Sequence, residues 1–146
     1  MKNNILLFLL SYVLYSCSVH SDSLQTYLNE QLEEYYASAF SDYSYIVIIP
    51  RKGCHACTME ADAFYKKNRE DNRCLFIFTD LVSEKLLKIE VGYDNVCRKN
   101  VLIDKEGHFH SSQYADSEYP LLLTKKENGQ FKCSYLLDSE GLLPQM

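Results

Sequence analysis

The sequence predicts an α/β protein: a three-layer sandwich in which helices cover both faces of a mixed central sheet of four or five strands, ending in a C-terminal β-hairpin. Short apolar runs alternate along the chain with segments whose apolar residues recur at helical spacing. Two of these runs, at 45–49 and 74–78, show no polar alternation, which indicates strands covered on both faces. Asn128 and Gly129 form a turn signal between the last two apolar runs and indicate the hairpin.

The first half of the chain predicts two helices on either side of a strand. Residues 22–40 carry apolar side chains at helical spacing, and Asp22 and Gln25 are placed as a capping box. The strand at 45–49 follows, and a short turn then leads into an amphipathic helix over 58–68.

The second half predicts a shorter helix and the rest of the sheet. Residues 83–91 have helical spacing, and Gly92 can end this helix in a left-handed cap. Further strands are predicted at 101–103, 121–124 and 131–137. The predicted order is α-β-α-β-α-β-β-β, because the strand at 74–78 lies between the second and third helices.

The N-terminus predicts a signal peptide of the lipoprotein type. A basic start at Lys2 precedes an apolar stretch over 5–15, which is short for crossing a bilayer. A Leu, a Tyr and a Ser then stand directly before Cys17, and this sequence resembles a bacterial lipobox. We therefore expect a lipid on Cys17 that anchors the protein to a membrane of the cell envelope, with its domain in the periplasm or extracellular space. The alternatives are an ordinary cleaved signal and a retained membrane helix.

Composition and charge narrow the classes of function. Of the 146 residues, 47% are hydrophobic and 13% aromatic, which is typical of a folded domain with a core. The net charge of −5 argues against nucleic acid as a partner, because phosphate binding needs clustered Lys and Arg. We expect a monomer, divided into a signal peptide (1–16), a tether (17–23), one folded domain (24–140) and a tail (141–146).

Cys54 and Cys57, with two residues between them, are the strongest functional signal. They follow an apolar run and open a helical pattern, and a Cys-x-x-Cys in that position is typical of a redox site. The partial positive charge of a helix N-terminus favours a thiolate on Cys54, the nucleophile at the rim, while Cys57 points inward and resolves the mixed disulfide. A protonated His55 adds positive charge, as Arg51 and Lys52 do if they turn towards the sulfur.

For the other three cysteines of the domain, the sequence does not decide between free thiols and disulfides. Cys74 and Cys133 lie in strand-like runs, where a free cysteine is usually a small buried hydrophobe. A disulfide from Cys97 to either of them is the alternative, because sequence alone does not fix connectivity.

The order of elements, with Cys54 and Cys57 after the first strand and Pro120 entering a C-terminal hairpin, resembles the thioredoxin-like fold. It is most similar to exported, membrane-tethered thiol–disulfide oxidoreductases, over about residues 24–140. The resemblance implies that Cys54 and Cys57 are the redox pair, that Pro120 is a cis-proline beside them and that Tyr119 is a substrate-site residue. It also implies protein thiols or disulfides as substrates, an unidentified redox partner, and no cofactor besides the redox-active disulfide.

The chain departs from the family pattern in ways that keep other functions open. Gly53 replaces the usual Trp, no Pro separates the cysteines, and Ile48 stands near the position of thioredoxin's buried acid. A second hypothesis is therefore a non-catalytic lipoprotein that binds a partner through the same fold. A third is delivery of copper or another metal by the cysteine pair together with His108 and His110, although we assign no metal ligands.

Overall fold

The structure, a computed structural model, describes residues 19–37, 40 and 42–136. Cys17, the predicted signal peptide and the predicted tail at 141–146 lie outside the described residues. Among the described residues, no helix has both the length and the apolar character that a membrane crossing requires. The regular elements are α1 (Val19–Tyr36), β1 (Tyr45–Pro50), α2 (His55–Asn68), β2 (Cys74–Thr79), α3 (Glu84–Val91), α4 (Tyr93–Val96), β3 (Val101–Ile103), a 3₁₀ turn (Ala115–Glu118), β4 (Leu121–Lys125) and β5 (Phe131–Tyr135).

The five strands form one mixed sheet in the order β3-β2-β1-β4-β5. β1 pairs in parallel with β2, and β2 with β3, whereas β4 is antiparallel to both β1 and β5. In the middle of the sheet, Val47 of β1 lies between Phe76 of β2 and Leu122 of β4. Because β1 and β4 are antiparallel, the carboxyl end of β1 and the start of β4 meet at one edge of the sheet.

Helices cover both faces of this sheet, which confirms the predicted three layers. Successive strand residues point to opposite faces. Ile46 and Ile48 therefore pack with Leu28 of α1, while Val47 packs on the other side with Tyr65 of α2. Burying each such side chain contributes about 1.5–3 kcal/mol, so the two apolar layers fix the positions of α1 and α2 on the sheet.

Some element boundaries differ from the prediction. α1 is already helical at Val19, the first described residue, which lies inside the predicted tether, and it ends at Tyr36 rather than at residue 40. Gly92 ends α3, as predicted, and its N–H donates to the Lys88 carbonyl; its φ is positive (98°), but its ψ of 136° lies outside the left-handed helical conformation that was expected. α4 and the 3₁₀ turn were not predicted, since four-residue elements carry too few residues to show a period.

Candidate functional site

The two cysteines lie at the carboxyl end of β1, where the chain turns into α2. Cys54 is the N-cap residue of α2, with extended backbone angles (φ −66°, ψ 108°). Its Sγ accepts a hydrogen bond from the backbone N–H of Cys57 at 3.4 Å, and its carbonyl accepts one from the N–H of Thr58 at 3.0 Å. The sulfur of Cys54 thus occupies the place of an N-cap oxygen, where unpaired N–H groups and the helix dipole favour negative charge.

The sulfurs of Cys54 and Cys57 lie at disulfide-bonding distance, with their Cα atoms 5.3 Å apart. Cys54 is exposed and Cys57 is half-buried. The predicted division between a rim cysteine and an inward cysteine is therefore confirmed. A partner can reach the sulfur of Cys54 directly, whereas Cys57 is reached less easily.

The cationic side chains before the motif do not act as the sequence suggested. Arg51 forms ion pairs with Asp62 of α2 and with Glu90 of α3, each at 2.6 Å, and its side chain is only 7% exposed. Burial by itself lowers the pKa of Arg51, but the hydrogen bonds and charges of the two carboxylates outweigh it and raise that pKa overall. Lys52 pairs with Asp80 at 3.0 Å. Both charges are thus compensated by carboxylates. Within the motif itself, the residue that has a cationic form is His55, and it is exposed.

Gly53 brings a second segment against the motif. Its φ of +119° is one that side-chain-bearing residues rarely adopt. A Cβ on Gly53 would lie 3.1 Å from the backbone carbonyl oxygen of Glu118, so the end of the 3₁₀ turn touches the residue before Cys54. Tyr119 and Pro120, the two predicted supporting residues, follow Glu118 directly in the chain. The positive φ and this contact together disfavour any side chain at position 53.

The prediction of a cis-proline is wrong, because the peptide bond between Tyr119 and Pro120 is trans. Tyr119 is extended (φ −103°, ψ 152°), the conformation favoured before proline, and the chain runs straight from the 3₁₀ turn into β4. Because a trans bond already fits this path of the chain, there is nothing to offset the free-energy cost of a cis bond. Pro120 is buried, and its carbonyl accepts the N–H of Leu136 at 2.9 Å.

His108 and His110 have contacts of their own. The His108 ring stacks on Tyr35 with centroids 3.8 Å apart, and its Nε2 lies 3.0 Å from Glu106. Nδ1 of His110 lies 3.4 Å from the hydroxyl of Ser117. Across the described part of the chain, no three His, Cys, Asp or Glu side chains converge as ligands for a metal ion.

Cys74, Cys97 and Cys133 are free thiols, so the alternative disulfide from Cys97 is absent from the structure. Cys74 is buried and Cys97 is exposed. Burial raises the pKa of Cys74 and of Cys133 to about 12 each, which favours the neutral form of both thiols. The prediction of a buried strand cysteine is confirmed for Cys74, whereas Cys133 is half-buried against the core.

Sequence reasoning missed the role of Asp104, which is buried at the end of β3. Its two oxygens accept hydrogen bonds from the Thr79 hydroxyl at 2.7 Å and from the backbone N–H groups of Gly107, His108 and Phe109 at 2.9–3.1 Å. The spacing of Asp104 and Gly107 predicted only a turn. The carboxylate anchors the start of the loop that leads on to the 3₁₀ turn.

Neither the protein-family models, nor the curated proteins, nor the solved structures compared with this chain gave a match.

Proposed function

We propose that this protein is a thiol–disulfide oxidoreductase with a thioredoxin-like domain, acting on disulfides or dithiols of exported proteins through Cys54 and Cys57. One observation carries the proposal: an exposed cysteine caps α2 and its sulfur accepts a backbone N–H, within bonding distance of a second, more buried cysteine. This arrangement favours a thiolate at Cys54 and allows a disulfide to open and close with little movement.

The exchange proceeds in two steps. The Cys54 thiolate attacks one sulfur of a substrate disulfide; a new S–S bond forms, the substrate bond breaks, and the departing substrate thiolate takes a proton from solvent. Cys57, deprotonated, then attacks Cys54 and releases the second substrate thiol. The substrate gains two electrons and the Cys54–Cys57 pair loses two. The reverse sequence oxidises a substrate dithiol, and in either direction a second dithiol or disulfide protein restores the pair.

The fold supports this assignment without depending on the cis-proline. The cysteines follow β1, a central strand, and the segment leading into antiparallel β4 touches Gly53 beside them. Tyr119 and Pro120 support the site from this segment, and His55 adds charge when protonated.

Two cysteine variants test the proposal. The full-length protein should exchange disulfides with a small dithiol or disulfide substrate, and Cys54→Ser should abolish this exchange. Cys57→Ser should instead accumulate a mixed disulfide at Cys54, detected by mass spectrometry of non-reduced protein. Cys97→Ser is the matched control and should leave the exchange unchanged. Normal exchange by the Cys54→Ser protein would contradict the proposal.

A non-catalytic binding role is the second candidate, and Ile48 is the observation that favours it. Thioredoxin has a buried acid near this position, whereas Ile48 is fully buried among apolar side chains and cannot accept a proton. A binding module would retain its partner after both Cys54 and Cys57 are replaced by Ser. Loss of partner capture in that double variant would favour the redox enzyme.

Export and tethering through Cys17 are part of the same proposal. Acylation by more than one chain gives stable membrane attachment, since each buried CH₂ contributes about 0.8 kcal/mol. Labelled palmitate should be incorporated into the full chain and not into Cys17→Ser. Equal incorporation in both would show that Cys17 is not the lipidated residue.

A further inference from the structure

Two exposed aromatic rings pack together, one on the segment that touches the cysteine motif and the other at the end of β5. Tyr119 precedes β4 and Tyr135 ends β5, and their side chains meet edge to face with ring centroids 6.0 Å apart. The residues are 43% and 39% exposed. Aromatic side chains bury a large area when they have a protein partner, so these rings present a surface that is available to a ligand.

The positions of the two rings are fixed by their neighbours. The Asp116 carboxylate lies near the hydroxyl of Tyr135, and its interaction with that hydroxyl is the main reason that the pKa of Tyr135 is raised to about 12. The buried Ser117 hydroxyl is 2.7 Å from the carbonyls of both Ser111 and Tyr114, and it holds the 3₁₀ turn together. A surface ordered in advance loses little entropy when it binds.

The surface is acidic as well as aromatic. Asp116 is half-buried and Glu118 is exposed, and both belong to the turn that carries Tyr119. The backbone of Glu118 touches Gly53, one residue from Cys54. We call Tyr119, Tyr135, Asp116 and Glu118 the tyrosine platform. An aromatic face beside carboxylates attracts a cation both through the ring quadrupole and through charge.

We propose that the tyrosine platform binds an arginine or lysine close in sequence to the substrate's reactive cysteine. The substrate class is then a polypeptide with a basic residue next to its cysteine. This inference rests on the proposed function, because Cys54 is the sulfur that such a substrate must reach. The platform would add selectivity among substrate sequences. The cysteine motif alone does not provide it, because the motif reacts only with the disulfide.

Two short peptide disulfides that differ only in Arg or Glu beside the cysteine provide the test. Their reaction with the reduced full-length protein is measured by stopped flow and divided by their reaction with dithiothreitol, which removes the intrinsic difference in reactivity. The Arg peptide should react about five- to twentyfold faster, and added salt should reduce this ratio.

Single-residue variants test whether the preference for the Arg peptide comes from the tyrosine platform. Tyr119→Ala and Tyr135→Ala should each lower the ratio about threefold or more, and Glu118→Gln should lower it less. Tyr135→Phe keeps the ring and tests its hydroxyl separately, should the alanine variant fold poorly. Tyr93→Ala, which removes a tyrosine that is 64% exposed on α4, is the matched control and should leave the ratio unchanged. A ratio of one, or a ratio that both platform alanine variants retain, would overturn the inference.

A binding measurement separates this inference from the proposed function. Fluorescence anisotropy with the same two peptides, each carrying Ser in place of its Cys, reports binding without exchange. If neither disulfide peptide reacts, the proposed function is wrong, and tighter binding of the Arg peptide still supports the platform. Equal binding of both peptides, or none, overturns the platform whether or not exchange occurs.

Discussion

Arg51 donates a hydrogen bond to Asp62 at 2.6 Å and thereby joins the turn before Cys54 to the middle of α2. The same guanidinium reaches Glu90 of α3 and lies 5.8 Å from the centroid of the Phe78 ring. One side chain therefore connects β1, α2 and α3 directly behind the cysteine motif.

Replacing Arg51 by Met should destabilise the domain. The change leaves Asp62 without its ion pair in a mostly buried position, so we expect a loss of about 2 kcal/mol in the free energy of unfolding. Lys52→Met is the matched control: its side chain is 54% exposed, and losing its pair with Asp80 should change stability by less than about 0.5 kcal/mol. Urea denaturation of both variants measures this difference, and equal losses would show that the Arg51 contacts add nothing beyond a surface pair.

Gly53→Ala should impair both stability and exchange. The positive φ disfavours a side chain by about 1–2 kcal/mol, and the new Cβ must also displace the Glu118 carbonyl. Gly107→Ala is the control, since Gly107 has a φ of +76° but a Cβ added there would meet nothing within 4 Å. Both variants should lose stability in denaturant, while only Gly53→Ala should slow disulfide exchange. Unchanged exchange in Gly53→Ala would mean that the contact with Glu118 does not position the site.

The strands and the cysteine motif were predictable because their signals are local. Uninterrupted apolar runs identified β1 and β2, and the position of the two cysteines between a strand and a helical pattern placed them at a helix N-terminus. The partners of Arg51 were not predictable, since Asp62 and Glu90 are 11 and 39 residues away and meet it only after α2 and α3 have packed on the sheet. The isomer of the bond before Pro120 likewise depends on the tertiary path, which a family resemblance does not determine.

The tyrosine platform could not be predicted either. Tyr119 was expected at the substrate site from the resemblance, but Tyr135 lies 16 positions later, so its contact with Tyr119 depends on the pairing of β4 with β5. The one sequence feature that bears on this contact is the short hairpin, because its register brings the residue before β4 close to the end of β5.

Asp104→Asn should be one of the more destabilising single-atom changes in the domain. Both carboxylate oxygens accept hydrogen bonds, and the amide NH₂ of Asn would face donors in place of one oxygen. We expect a loss of about 2–4 kcal/mol, measured by chemical denaturation. Asp94→Asn, at an exposed position in α4, should change stability by less than about 0.5 kcal/mol. Similar losses in the two variants would contradict a structural role for Asp104.

Alkylation should distinguish the three free cysteines. N-ethylmaleimide added to the folded protein should modify exposed Cys97 about a hundredfold faster than Cys74, which reacts only when the core opens. In denaturant, all three should react alike, which serves as the control. Peptide mapping by mass spectrometry measures the rates, and a disulfide peptide joining Cys97 to Cys74 or Cys133 would contradict the free assignment.

Glu84 should make stability depend on pH in the acid range. Hydrogen bonds from Lys105 and Lys88 lower the pKa of Glu84 from its ordinary value of 4.5 to about 2. A carboxylate whose pKa is depressed on folding stabilises the folded state above the unfolded pKa, and this contribution is lost as the pH falls towards the folded pKa. Wild type should therefore be more stable than Glu84→Gln above about pH 5, and the two should converge between pH 4.5 and about 2.

The test of the Glu84 prediction is the urea midpoint of wild type and Glu84→Gln across this pH range, at low salt because the pairs are exposed. Lys105→Met should remove part of the same difference, and the double variant Glu84→Gln/Lys105→Met should lose less than the sum of the single variants. A constant gap between wild type and Glu84→Gln down to about pH 2 would show that the two lysines do not hold this carboxylate in its charged form.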